Sequence, residues 1–239
     1  QVASALDSQL AELLGDETTA SPEWRLIRDL LRHRTDGELR RGRVALSEIY
    51  GEAGSQSARL RHIALIGLRG AGKSSLGLRL AETLDVAFVE LNREIERVSG
   101  CGLAEIHNLL GPSAYRRYER RALEETLQLY PDAVIATPGG IVSDASTFNL
   151  LLSNCFTVWL KASPEEHMNR VIAQGDLRPM AATGTTEAME DLKRILAGRA
   201  AFYGKADVAI DTTGKSQYEC FSTLFATVRS EMAKARKTQ

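Results

Sequence analysis

Lysine is missing from the whole first part of the chain: every lysine or arginine before Lys73 is an arginine. Cysteine is scarce, with Cys101, Cys155 and Cys220 odd in number and widely spaced. That excludes a disulfide framework and a cysteine-rich zinc site. It fits a reducing cytoplasm, with buried structural thiols as the expected role for all three. No apolar run approaches the ~20 residues needed to span a bilayer, so no membrane partner is expected. No secretory leader pattern is visible either. Net charge is −1, which steers toward neither nucleic acid nor membrane. There is no internal repeat. What remains is the composition of an ordinary globular protein, 44% apolar and 26% charged over 239 residues. That length allows one generous domain, or one domain and an appendage. The chain begins at Gln1 within a helical pattern, which reads as a truncated or cleaved piece of something longer.

Residues 62–75, HIALIGLRGAGKSS, carry the strongest signal. Gly67 through Ser74 satisfy G-x-x-x-x-G-K-[ST], the phosphate-binding P-loop. The apolar run Ile63–Ile66 before it predicts a buried parallel strand, and Leu76, Leu80 and Leu84 after it share one helical face. Gly67, Gly70 and Gly72 let the backbone bend so that its amides, Ala71 among them, face phosphate oxygens. Lys73 can reach the terminal phosphates. The Ser74 hydroxyl can hold Mg²⁺, Ser75 beside it belongs with the phosphate-binding residues, and the helix N-terminus adds its partial positive charge for the phosphates.

Before this motif the chain reads as helical. Ala5, Leu6, Leu10, Leu13 and Leu14 have helical spacing. Residues 16–22 form a polar break. Trp24, Ile27, Leu30 and Leu31 mark a helix after Pro22, and Leu39, Leu46, Ile49 and Tyr50 mark another. GEAGSQSA at 51–58 reads as a flexible spacer. Beyond Arg61, strand and helix patterns alternate, which predicts a parallel sheet covered on both faces. Strands are expected at 62–66, 86–91, 133–136, 156–160 and 207–211. Helices are expected near 73–84, 92–99, 103–110, 112–130, 144–152, 164–173, 187–203 and 216–234. Residues 174–186 lack an apolar period and predict a functional loop, often a lid.

From Arg61 onward the chain resembles shikimate kinase, within the nucleoside-monophosphate-kinase-like P-loop fold. The segments that carry the likeness are FVELNREIE (88–96), SAYRRYE (113–119), ATPGGIV (136–142), GDLRPM (175–180) and GRAAFYGKADVAID (198–211), in that order. The resemblance implies a five-stranded parallel sheet with helices on both faces and a lid, preceded by a helical linker. It implies that Arg116 and Arg199 hold the acidic group of the ligand, as the planar guanidinium suits a carboxylate. It implies further that Gly139 and Gly140 approach the ligand ring, that Arg178 closes over the phosphates and that Arg170 lies near the nucleotide base. ATP and Mg²⁺ are the implied cofactors.

The chain departs from the family at the chemistry. Asn92 stands where the family carries an aspartate that can take the substrate's proton, and an amide is not a base. A lost general base typically costs ~10²–10⁴ in rate, although phosphoryl transfer rests mainly on positioning and electrostatics. Glu90 replaces the other aspartate and keeps the charge for Mg²⁺. Pro138 replaces the first glycine of a triple-glycine run, so that wall of the pocket must be rebuilt.

QVASALDSQLAELLGD at the start resembles the closing helices of a lambda-repressor-like (XRE-type) helix-turn-helix domain. The combination of all three parts resembles the benzoyl-CoA-responsive regulators of benzoate degradation (BzdR/BoxR type). The resulting expectation divides the chain into a helix-turn-helix remnant (1–16), a helical linker (17–60) and a shikimate-kinase-like domain (61–239). On this reading the chain senses benzoyl-CoA or a related acyl-CoA, contacts DNA through a missing N-terminal domain, and forms a homodimer. Two alternatives stand beside it: an active shikimate kinase and an ATP-sensing module.

Overall fold

The computed structural model describes residues 22–35, 37–39, 41–42, 56–173 and 185–237. The chain divides into two compact units, Gln1–Gly51 and Glu52–Gln239. In the first, helix α1 spans Pro22–Leu31 and opens on proline, whose missing N–H costs nothing at a first helical position. Leu26 and Leu30, one turn apart, are both 64% exposed. Thr35 then makes a capping box: its amide donates to Glu38 Oε2 at 2.9 Å, and the Glu38 amide to Thr35 Oγ1 at 3.4 Å. The expected helix-turn-helix remnant at 1–16 and the apolar positions Leu46, Ile49 and Tyr50 lie outside the described residues.

The second unit is built on five parallel strands, β1 His62–Ile66, β2 Ala87–Glu90, β3 Ala133–Ala136, β4 Phe156–Lys161 and β5 Val208–Asp211, in the order β2-β3-β1-β4-β5. This is the five-stranded parallel sheet expected from the alternating pattern. Ile63 pairs with Val134 on one side and Phe156 on the other. Both faces are covered, so β1 is apolar at four successive positions instead of alternating. Ile63 and Leu65 pack with Leu76 and Leu80 of α2 (Lys73–Leu84) and with Leu224 and Val228 of α8 (Gln217–Lys237). Ala64 and Ile66 face the other layer, with Ile95 of α3 (Leu91–Ser99), Leu123 of α4 (Gly111–Leu129) and Leu151 of α5 (Ala145–Asn154). Helices α6 (Pro164–Ala173) and α7 (Thr185–Tyr203) complete the unit. Because β1 lies between β3 and β4, the chain leaves it in one direction and returns on the other side. That reversal opens a crevice at the carboxyl ends of the strands, the usual ligand site of open α/β sheets.

Four sequence expectations change here, the first being the end of the segment read as a spacer, where Gln56–Arg59 is helical. The helix expected at 103–110 is a single α-turn, Leu103–Glu105, followed by a π-helical stretch, Ile106–Leu110. The wider turn keeps Ile106 fully buried and leaves Leu109 and Leu110 outside, ahead of Gly111 at φ 78°. Thr185 and Thr186, read as loop, begin α7, and the rest of the expected lid lies outside the described residues. Cys101 is half-buried, whereas Cys155 and Cys220 are buried. Burial pushes the Cys155 thiol up to about 12, as an inert core thiol requires. Among the described residues no helix is long and apolar enough to cross a membrane.

Candidate active site

The side expected to bind phosphate is made from one continuous segment. β1 ends at Ile66, and Gly67 turns with φ 140°; a Cβ there would stand 2.5 Å from the Leu160 carbonyl oxygen of β4. No other residue fits that approach. Gly72, at φ 88°, leads directly into α2 and supplies no side-chain cap. The first amides of that helix therefore remain available to an anion, with the helix dipole behind them. Ala71 is buried, its amide donating to Leu68 O at 3.2 Å, while Ser74 and Ser75 are exposed at the helix start.

Lys73 is 9% exposed and folds back on the loop, its Nζ donating to Gly67 O at 2.8 Å and Leu68 O at 2.9 Å. Burial lowers its pKa to about 8; the Glu90 carboxylate opposes that shift and the like charge of Arg69 adds to it. A buried ammonium held by two carbonyls is a cation waiting for a better anion, which a phosphate would supply.

The second side is assembled from distant segments. Glu90 closes β2 and Asn92 is the second residue of α3, both half-buried. After β3 the chain turns through Thr137, buried Pro138, Gly139 and Gly140. The Thr137 hydroxyl donates to Leu65 O at 2.9 Å, and the Ile141 amide donates to Pro138 O at 3.2 Å. This wall is a tight turn that needs no amide from residue 138. Arg116 of α4 donates through Nη1 to Gly140 O at 3.0 Å. Arg199 of α7 donates through Nη1 to Gly139 O at 3.2 Å, and Tyr203 Oη to the same oxygen at 2.6 Å. The two arginines singled out by sequence, 83 positions apart (199 − 116), thus meet at consecutive carbonyls. A Cβ on Gly139 would lie 3.1 Å from the Arg69 amide nitrogen, and one on Gly140 3.3 Å from Arg116 Nη2. The two loops and the arginine are in close contact at these glycines.

Not every expected residue joins this group. Arg170 is tied to Glu166 on its own helix and donates to Thr212 Oγ1 and O, each at 3.1 Å. It links α6 to the segment after β5. Arg178 lies outside the described residues. Among the described residues no three His, Cys, Asp or Glu side chains gather as a metal cluster.

Two residues that sequence reading missed support the site. Glu119 is fully buried, accepts from Arg116 Nη1 at 2.6 Å through Oε2, and leaves Oε1 without a hydrogen-bond partner. Burial pushes its carboxyl pKa up, and Arg116 pulls it back. Its position three residues after Arg116 on a helix was the available signal. His167 is 1% exposed, with Nδ1 3.0 Å from Arg69 O, and burial is the main cause of its lowered pKa. Beside it opens a cavity of about 490 Å³, bordered by Leu68, Arg69, His167, Val171, Leu192 and Arg199.

The shikimate kinase family model matches residues 69–229. Shikimate kinase of Persephonella marina is 31% identical over 170 residues, 71% of this chain and 100% of the relative. That of Nitrobacter winogradskyi is 37% identical over 150 residues, 63% of this chain and 68% of the relative. Among solved structures, shikimate kinase from Acinetobacter baumannii in complex with shikimate superposes with a TM-score of 0.63 at 26% identity, covering 71% of this chain and 93% of that one. The Bacteroides thetaiotaomicron shikimate kinase gives 0.65 at 25%, covering 70% and 98%.

These relatives overturn the reading of the chain as the effector-sensing part of a transcriptional regulator. They are named for a kinase over most of this chain, and they favour the catalytic alternative. The XRE-type helix-turn-helix, the DNA partner, the link to aromatic catabolism and benzoyl-CoA as effector find no support among them. The homodimer, expected from palindromic DNA half-sites, loses its ground with them. Asn92, an arginine-only helical segment and a short leucine-rich stretch weigh less than a family match over residues 69–229. By the match over residues 69–229, this chain belongs to the shikimate kinase family.

Proposed function

We propose that the protein is a working kinase that transfers the γ-phosphoryl group of ATP to a hydroxyl of shikimate, giving shikimate 3-phosphate and ADP. The observation that carries this reading is the meeting of Arg116 and Arg199 at Gly140 and Gly139, directly against the loop that holds Lys73. One end of the crevice offers buried positive charge and helix amides to phosphates. The other offers two guanidinium forks to a carboxylate. A ligand pair bridging the two ends brings a hydroxyl and a γ-phosphorus together, and such positioning is the larger part of phosphoryl transfer.

In this reading Gly67, Gly70, Ala71, Gly72, Ser74 and Ser75 line the phosphates and Lys73 neutralises them. Asn92 hydrogen-bonds the attacking hydroxyl and orients it. The hydroxyl oxygen forms the new bond to phosphorus as the bond to the bridging oxygen of ADP breaks. Its proton passes to a phosphoryl oxygen or to water, because the Asn92 amide cannot accept it. Arg170 and Arg178 are assigned to the nucleotide side. Mg²⁺ suits a site with one hydroxyl and one carboxylate, Ser74 and Glu90, since it keeps waters and takes phosphate oxygens as its remaining ligands. When bound, it neutralises phosphate charge. The catalytic unit is assigned to 61–239, with 17–60 as a helical linker before it.

A coupled assay of ADP release with ATP and shikimate tests the proposal. Shikimate-dependent turnover with a 1:1 yield of shikimate 3-phosphate is expected. ATP binding with no shikimate-dependent ADP release would overturn it and leave a nucleotide-binding module.

A further inference from the structure

Among the variable positions of the phosphate loop, 68–71, Arg69 alone is charged. Its backbone is fixed from two directions. His167, buried on α6, holds the Arg69 carbonyl at 3.0 Å, and the Arg69 amide nitrogen would stand 3.1 Å from a Cβ on Gly139. From this base the side chain is exposed and borders the same cavity as Arg199. Its charge also reaches Lys73 strongly enough to disfavour that ammonium. Arg69 therefore stands between the phosphate end of the site, marked by Lys73, and the acid end, marked by Arg199. Among the described residues, the acidic groups near this region include Glu90, which acts on Lys73, and Asp191 on the cavity wall, which pairs with Arg194.

Resting on the kinase reading above, we propose that Arg69 is a catalytic residue of phosphoryl transfer, its guanidinium meeting the oxygens of the phosphoryl group as it passes from ADP to the acceptor. Charge on those oxygens is spread in a plane in the transition state, and a planar fork of N–H donors matches it. The held backbone fixes the point from which the guanidinium reaches into the crevice. The need for it is sharpened by Asn92. With no carboxylate to take the hydroxyl proton, more of the barrier must be lowered by electrostatic stabilisation of the phosphoryl group itself. The bonds made and broken are those already stated. Arg69 donates hydrogen bonds and gives up no proton.

The test uses the full chain with Arg69→Ala and Arg69→Lys. Two measurements run in parallel: kcat and KM for ATP and shikimate, and calorimetric affinity for ADP alone against ADP with Mg²⁺ and aluminium fluoride, a mimic of the phosphoryl group in transit. Arg69→Ala is expected to lower kcat by about 10²–10³-fold, with both KM values within about threefold. Its affinity for the fluoroaluminate complex should fall in step, while its affinity for ADP alone holds. Arg69→Lys should recover part of both losses. An unchanged kcat with unchanged fluoroaluminate affinity overturns the inference, and so does a loss confined to the shikimate KM, which would make Arg69 an acid-binding residue. If the unaltered chain shows no turnover, the kinase reading fails on its own. The fluoroaluminate arm still decides whether Arg69 recognises a phosphoryl group.

Discussion

On the proposed kinase reading the crevice has a phosphate half and an acceptor half, which share one sheet edge but are made in different ways. The phosphate half is a run of consecutive residues, Gly67 to Ser75, and what it offers is an uncapped helix start and one buried lysine. The acceptor half draws on β2 and α3 (Glu90, Asn92), α4 (Arg116, Glu119), the turn after β3 (Gly139, Gly140) and α7 (Arg199, Tyr203). Its guanidinium groups are aimed by protein carbonyls and by Glu119 before any ligand arrives. A backbone-built loop leaves little room for change, because each glycine is set by φ or by a close neighbour. A site whose arginines are held by protein carbonyls keeps its geometry with a neutral amide, Asn92, rather than a carboxylate at its edge.

Breaking the phosphate half should have the largest effect. Lys73→Met should lower kcat/KM for ATP by about 10³-fold, read in the coupled ADP assay, because the only buried cation of the loop is lost. A decrease of less than tenfold would mean that the loop amides suffice. The acceptor half should respond in the opposite sense to Asn92→Asp. Restoring a group that can accept the hydroxyl proton should raise kcat with shikimate by about 10²-fold, with ATP affinity unchanged by calorimetry. No gain would show that the base is dispensable in this pocket.

Glu119→Gln sharpens the contrast further. Gln removes the charge that holds Arg116, so KM for shikimate should rise about tenfold while KM for ATP holds. Equal increases in both would point to a general loss of packing. The smallest expected effect is of pH on the phosphate half. Lys73 sits at about 8 rather than its ordinary value, so the free protein sheds this proton as pH rises through 8. A bound polyanion favours the charged form and raises the pKa, so binding takes up a proton above about pH 8. ATP affinity should therefore be several-fold weaker at pH 9 than at pH 7, with proton uptake visible as calorimetric heats that change with buffer ionisation enthalpy. The same depressed pKa makes charged Lys73 a cost to folding below about pH 8. That cost fades toward the ordinary lysine range.

Much of the fold was legible in the residues themselves. The strands at 62–66 and 133–136 and the helices at 73–84 and 164–173 lie where periodicity put them, because continuous apolar runs and one-faced leucine spacing are local signals. The stretch after Gly102 was not legible. An apolar pattern cannot distinguish an α-turn from the π-helical stretch that holds Ile106 inside. Glu119 and His167 escaped notice for a related reason. A carboxylate in a helix rich in charge, or a histidine among acidic neighbours, looks solvated until packing buries it.

The Arg59 side chain shows the same division at the opposite edge of the sheet. Nothing near it in sequence announces a partner, yet it donates to Cys155 O and to Asp207, whose Oδ2 also accepts the amide and hydroxyl of Thr157, each at 2.8 Å. The loop at 67–75 was set by local chemistry: glycines that alone allow its turns, and a lysine at the spacing that folds it back on the Gly67 and Leu68 carbonyls. The acceptor pocket had to wait for tertiary structure. Its residues come from segments that have no interaction until the parallel sheet brings β2, β3 and the helices that follow them to a common edge.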